Sequence, residues 1–228
     1  MMKAMMALAG LALVAPQPAF AAAKKVKPAA KVEAPQNPLT ASAQRIADWV
    51  ADSADNRALP YIIIDKPAAT LFLFDAKGEQ LATAPVLIGI ASGDDATPGI
   101  GSKNLAEIGP AEKTTPAGRF LAKFGRAAGN ARVLWVDYAT SVALHTIPPG
   151  NPKDKRRERM LSPGIDDNRI TFGCINVPKA IYGSKIAPMF GKKGGYVYIL
   201  PDTKPIEAAF PALHARPIAS SVNAPATK

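Results

Sequence analysis

The chain has 228 residues, 48% hydrophobic and 20% charged, with a formal net charge of +10. That length suffices for one well-buried domain, and the basic balance favours anionic partners such as an envelope polymer or a membrane surface over basic ones. One cysteine and two histidines exclude an intrachain disulfide and lack the ligand spacing of a zinc site.

Residues 1–21 are predicted to be a signal peptide. Lys3 gives a positive start, Ala4 to Val14 is apolar but short for a bilayer span, and Ala19-Phe20-Ala21 fits a small-x-small cleavage site. Ala21-Ala22-Ala23 is the near alternative. No cysteine stands near this boundary, so no lipid anchor is expected there. The expectation is export to the periplasm or cell wall with no stable membrane anchor after cleavage. Export disfavours nucleic acid as a partner, as does the absence of aromatic platforms interleaved with the basic residues.

Residues 22–39 read as a Lys/Ala/Pro-rich linker. Residues 40–59 read as a helical segment, with Thr40 or Ser42 placed to cap it and Ile46, Trp49 and Val50 on one face. Strands follow at Tyr61–Asp65, Leu71–Phe74 and Gln80–Ile90, with a turn over Asp75–Gly78, so antiparallel pairing is expected. Residues 91–113 form a long Gly/Asp/Pro-rich loop. Thr115-Pro116-Ala117-Gly118 then re-enters strand, and a further β-rich run, Val133 to Thr146, contains His145 near its end.

A second loop separates His145 from Thr171, and its stretch Lys153–Arg159 holds five basic and two acidic residues. It reads either as a solvated turn or as a charged lid. Beyond it stands Ile170-Thr171-Phe172-Gly173-Cys174-Ile175-Asn176-Val177-Pro178. Asn176 is expected to cap a helix running to about Phe190, Tyr196–Leu200 reads as the last strand, and residues 202–228 as a Pro/Ala-rich tail containing His214, the other histidine.

An unpaired thiol in an exported chain calls for an explanation. It is either a buried free cysteine or a nucleophile, and a nucleophile needs a nearby base because only the thiolate attacks carbonyl carbon. His145 is the candidate base for Cys174. Main-chain N–H groups around Gly173 and Cys174 are candidate oxyanion donors, because glycine allows close approach of the backbone. Thr171 doubles as an ordinary strand residue and Asn176 as an ordinary cap.

The ordered set of hydrophobic strands, Thr115-Pro116-Ala117-Gly118-x-Phe120, His145 and Thr171-Phe172-Gly173-Cys174-Ile175-Asn176 resembles the L,D-transpeptidase catalytic domain family, also called YkuD or ErfK/YbiS/YcfS/YnhG. The resemblance spans roughly residues 60–201. Two departures are Thr146, where the family often has glycine, and a longer His-to-Cys spacing. The resemblance implies a mostly β, sandwich-like fold with a short N-terminal helix and one helix after the cysteine. It implies attack by Cys174 on peptidoglycan stem peptides, a thioester acyl-enzyme, and transfer to an amine or water. By the same resemblance the Thr146 carbonyl orients His145, Thr171, Phe172 and Asn176 shape the substrate site, no cofactor is needed, and carbapenem-type β-lactams are expected inhibitors. A non-catalytic wall-binding protein of the same fold is the alternative. A sortase-like enzyme would need an arginine soon after the cysteine, and none occurs before Arg216; a papain-like protease would reverse the Cys/His order.

Overall fold

Strands β1 (Tyr61–Asp65) and β2 (Thr70–Phe74) are buried at every position. Their apolar runs do not alternate with polar residues, which requires cover on both sheet faces. The computed structural model, which describes residues 38–215, supplies both covers. Alternate residues sort into two cores: Ile62, Ile64, Leu71 and Leu73 face one cluster, and Tyr61, Ile63, Phe72 and Phe74 face the other. The predicted signal peptide and most of the linker lie outside the described residues, as does the tail beyond residue 215.

Helix α1 (Ala41–Ser53) forms the outer cover. Thr40 caps it, its side chain accepting from the Ala43 N–H at 3.1 Å, and the 3.6-residue period buries Ala43, Ile46, Ala47 and Val50. Trp49 meets Tyr198 edge to face at a 6.0 Å centroid separation.

The remaining strands are β3 (Gln80–Pro85), β4 (Ile88–Gly89), β5 (Gly118–Arg126), β6 (Arg132–Asp137), β7 (Val142–Thr146), β8 (Arg169–Thr171), β9 (Ile175–Val177) and β10 (Gly195–Ile199). One sheet of eight runs β3-β2-β1-β10-β5-β6-β7-β9, and β4 with β8 makes a separate pair. The expected antiparallel β1-β2-β3 meander is present, while β1-β10 and β7-β9 are parallel. The domain is mostly β, as expected.

The inner cluster is closed by the chain after the cysteine: α3 (Lys179–Ile181), a π turn (Tyr182–Ile186) and α4 (Ala187–Phe190), which bury Ile181, Ile186 and Phe190. The sequence reading of Asn176 as this helix's cap is corrected. Ile175, Asn176 and Val177 are strand, Asn176 exchanges main-chain bonds with Leu87 (2.9 and 3.0 Å), and Pro178 precedes the first helical turn. Burial of Ile175 and Val177 on the inner core outweighs the local capping preference. Two further short helices went unread: α2 (Arg156–Met160) inside the basic stretch, anchored by buried Met160, and α5 (Ile206–Ala209). After α5, Phe210 and Leu213 pack into the outer cluster, so the start of the tail belongs to the folded body.

Candidate active site

The β7-β9 pairing builds the site. Its parallel register sets Leu144 opposite Ile175, His145 opposite Asn176 and Thr146 opposite Val177. Side chains alternate along a strand and paired residues share a face. Leu144, Ile175 and Val177 therefore turn to the inner core, while His145 and Asn176 occupy the opposite face. Continuing that alternation one pair back brings Cys174 beside Ala143 on the face of His145. Residues far apart in sequence become neighbours because two short strands run side by side.

Cys174 is half-buried. Its thiol points to the Ser141 carbonyl, with Sγ to O at 3.6 Å. Ser141 turns there with φ 58°, in the tight connection between β6 and β7. Burial pushes the thiol above its ordinary value, only partly offset by the Ala143 main-chain group beside it.

His145 is held through Nδ1, which lies 2.7 Å from the Thr146 carbonyl oxygen. A carbonyl only accepts, so this bond requires the proton on Nδ1 and leaves the Nε2 lone pair free to take a proton. Burial lowers the imidazole's pKa; the Thr146 carbonyl raises it in part, and the charge of Arg156 lowers it again. Burial thus disfavours the charged form of both the imidazole and the thiol.

The turn before the thiol is tied from two sides. Thr171 is buried; its Oγ1 donates to the Cys174 carbonyl at 2.6 Å and accepts from the Gly173 N–H at 3.2 Å. The Gly173 N–H is therefore engaged by Thr171 in this conformation. Gly173 has φ +121°, and a β-carbon there would lie 2.7 Å from the Thr114 carbonyl oxygen, so glycine is required for both conformation and space. Thr115 Oγ1 donates to the Gly173 carbonyl at 2.8 Å and accepts from the Gly89 N–H at 2.9 Å.

Phe172 is exposed, with the Lys113 ammonium 3.8 Å from its ring centroid. Asn176 is buried, and its Oδ1 accepts from Arg156 Nη1 at 3.4 Å. The arginine comes from α2, so part of the basic stretch reaches the site. Ser141 was not visible from sequence, since only the tertiary turn brings its carbonyl to the thiol. Arg156 lay within a recognisable basic run but was indistinguishable there from its neighbours.

A buried ion cluster supports the back of this loop. Lys66, fully buried, contacts the Gly93 carbonyl (2.6 Å), Asp94 (3.0 Å), the Thr115 carbonyl (2.8 Å) and Asp202 (3.4 Å). Arg169, which opens β8, pairs with Asp202 at 2.7 Å. Burial alone would raise the Asp94 carboxyl, but bonds from the Asp202 N–H, Thr203, the Lys204 N–H and Lys66 hold it far below the usual carboxylate range. Among the described residues no group of three or more His, Cys, Asp or Glu is arranged to hold a metal ion, and no helix is long and apolar enough to cross a membrane.

No protein-family model and no curated protein matches the chain. Solved structures similar to it include the L,D-transpeptidase (residues 123–326) from Xylanimonas cellulosilytica, 16% identical with TM-score 0.37 over 62% of this chain and 60% of that one. The catalytic domain of the E. faecium L,D-transpeptidase is 16% identical with TM-score 0.34, over 62% and 96% of the two chains. Bdellovibrio bacteriovorus Bd1075 is 15% identical with TM-score 0.38, over 64% and 50%. The chain thus spans less than two thirds of the first and third of these.

Proposed function

We propose that the chain is an exported cysteine L,D-transpeptidase that acylates itself on peptidoglycan stem peptides. The observation that carries this reading is the β7-β9 register, which gathers Cys174 and a histidine already fixed in the base-competent tautomer on one face. Burial disfavours the charged form of both groups, which favours proton transfer during attack over a preformed ion pair. His145 Nε2 takes the thiol proton as Sγ bonds to the donor carbonyl carbon. The Cys174 N–H is the main-chain donor assigned to the oxyanion, the Gly173 N–H being committed to Thr171.

Collapse of the tetrahedral species breaks the peptide C–N bond, and the amine departs with the proton from His145. The thioester remains on Cys174 until an amine, or water, attacks the same carbonyl with His145 again as base. Thr171 and Thr115 hold the turn that presents the thiol, and Phe172, two residues before it in the same turn, is assigned to shaping the substrate site.

Incubating the purified protein with a disaccharide-tetrapeptide, with and without an amine acceptor, and weighing the products tests the reading. A cross-linked or trimmed product that requires Cys174 supports it. No product and no thioester from folded protein would leave the non-catalytic wall-binding alternative.

A further inference from the structure

Five basic side chains lie between residues 153 and 159, and they do different things. Lys153, Lys155 and Arg157 are exposed. Arg159 is stapled to main chain, its Nε donating to the Asp167 carbonyl at 2.8 Å and Nη2 to the Arg169 carbonyl at 3.3 Å. Arg156 alone of the five turns to the thiol face, where Nη1 bonds Asn176 Oδ1 at 3.4 Å and its charge acts on His145.

Arg156 is only partly covered, with 20% of its side chain exposed. Its Nε contacts Asp154 at 3.2 Å. A guanidinium carries five N–H donors, and these two contacts use two of them. Asn176, directly opposite His145 in the register, is a neutral amide, so the carboxylate paired with Arg156 is Asp154, engaged through Nε, while Nη1 meets a neutral partner and Nη2 keeps its donors. A permanent cation with donors to spare, on the face that carries His145 and close enough to act on it, is the arrangement that recognises a carboxylate.

We propose that Arg156 is the carboxylate-recognising residue of the Cys174 site, binding an anionic group of the molecule that acylates the thiol and setting specificity for acidic donors. In substrate terms this rests on the transpeptidase reading, because stem peptides carry free carboxylates. The residue's preference for anions is testable without that substrate.

Iodoacetate and iodoacetamide both alkylate a thiolate, forming the Sγ–C bond as iodide leaves, and differ chiefly in that iodoacetate carries a carboxylate. The ratio of their rates at Cys174 cancels any change in thiolate fraction. Arg156→Gln is expected to lower the iodoacetate-to-iodoacetamide ratio on the order of fivefold at low ionic strength, the scale of one near charge in a wet site. Added salt should shrink the wild-type ratio toward that of the variant. Arg156→Lys should keep most of the preference, and Arg157→Gln should leave it unchanged.

Equal ratios in wild type and Arg156→Gln would overturn the proposal, as would an equal loss in Arg157→Gln, which would mean a diffuse field. Folded Arg156→Lys protein with no anion preference would also count against it if the Gln variant failed to fold. A retained ratio with no turnover of stem peptide would uphold the anion site while removing the transpeptidase reading.

Discussion

Thr115 Oγ1 donates to the carbonyl of Gly173 at 2.8 Å while accepting from the Gly89 N–H at 2.9 Å, so a single hydroxyl ties the residue before the thiol to another strand. Gly89 must be glycine, because a β-carbon there would lie 2.3 Å from the Lys113 carbonyl oxygen. Thr115→Val keeps the shape and removes the hydroxyl, leaving a buried donor and a buried acceptor unpaired at about 1–3 kcal/mol each. The acylation rate should fall at least about tenfold, the equivalent of ~1.4 kcal/mol in the barrier. Thr115→Ser should restore it. A Val variant that acylated like wild type would show that the turn holds itself.

Cys174→Ala and Cys174→Ser should both abolish turnover without loss of fold, since Ser is too weak a nucleophile for a site built around sulfur. A carbapenem should add one drug mass to the peptide containing Cys174 in wild type and none in either variant. Mass spectrometry of intact and digested protein checks this. Turnover surviving in the alanine variant would end the enzyme reading.

The pH profile follows from His145. As the proposed base it acts only when neutral, so activity is expected above its pKa and should be lost as pH falls through it. Burial and Arg156 hold that pKa below the ordinary imidazole value, which places the acid limb of the acylation rate below the usual histidine range. Arg156→Gln removes one of the lowering influences and should move the limb upward. His145→Ala should cost at least about 10²-fold, and His214→Ala should leave the rate unchanged. A limb that stays fixed in Arg156→Gln would show that burial alone sets the value.

Acid stability is expected to depend on Asp94. Its carboxyl is held far below the ordinary range in the folded chain, so its contribution is present above the unfolded value, about pH 4, and is lost progressively as pH falls further. Asp94→Asn should flatten this part of the stability-against-pH curve. It should also cost about 1–3 kcal/mol at neutral pH, because the fully buried Lys66 would keep Asp202 but lose the charge-assisted bond to Asp94. Denaturant titration at several pH values measures both. Parallel curves for wild type and variant would assign the acid sensitivity elsewhere.

Much of this was legible from sequence because it depends on local pattern. The cap at Thr40, the meander from Tyr61 to Pro85 and the glycine before the thiol each follow from propensity, alternation or a backbone need that neighbouring residues announce. The candidacy of Cys174 and His145 came from residue counting and order. What the tertiary structure alone decided is which residues meet. Asn176 is a strand residue opposite His145 because Ile175 and Val177 are buried, a preference its own sequence context could not weigh against capping. Arg156 differs from Arg157 only in which way a short helix, pinned by Met160, turns it. The fully buried Lys66 is paired with Asp94 and Asp202 across loops remote in the chain, and such long-range charge pairing leaves no periodic trace in the sequence.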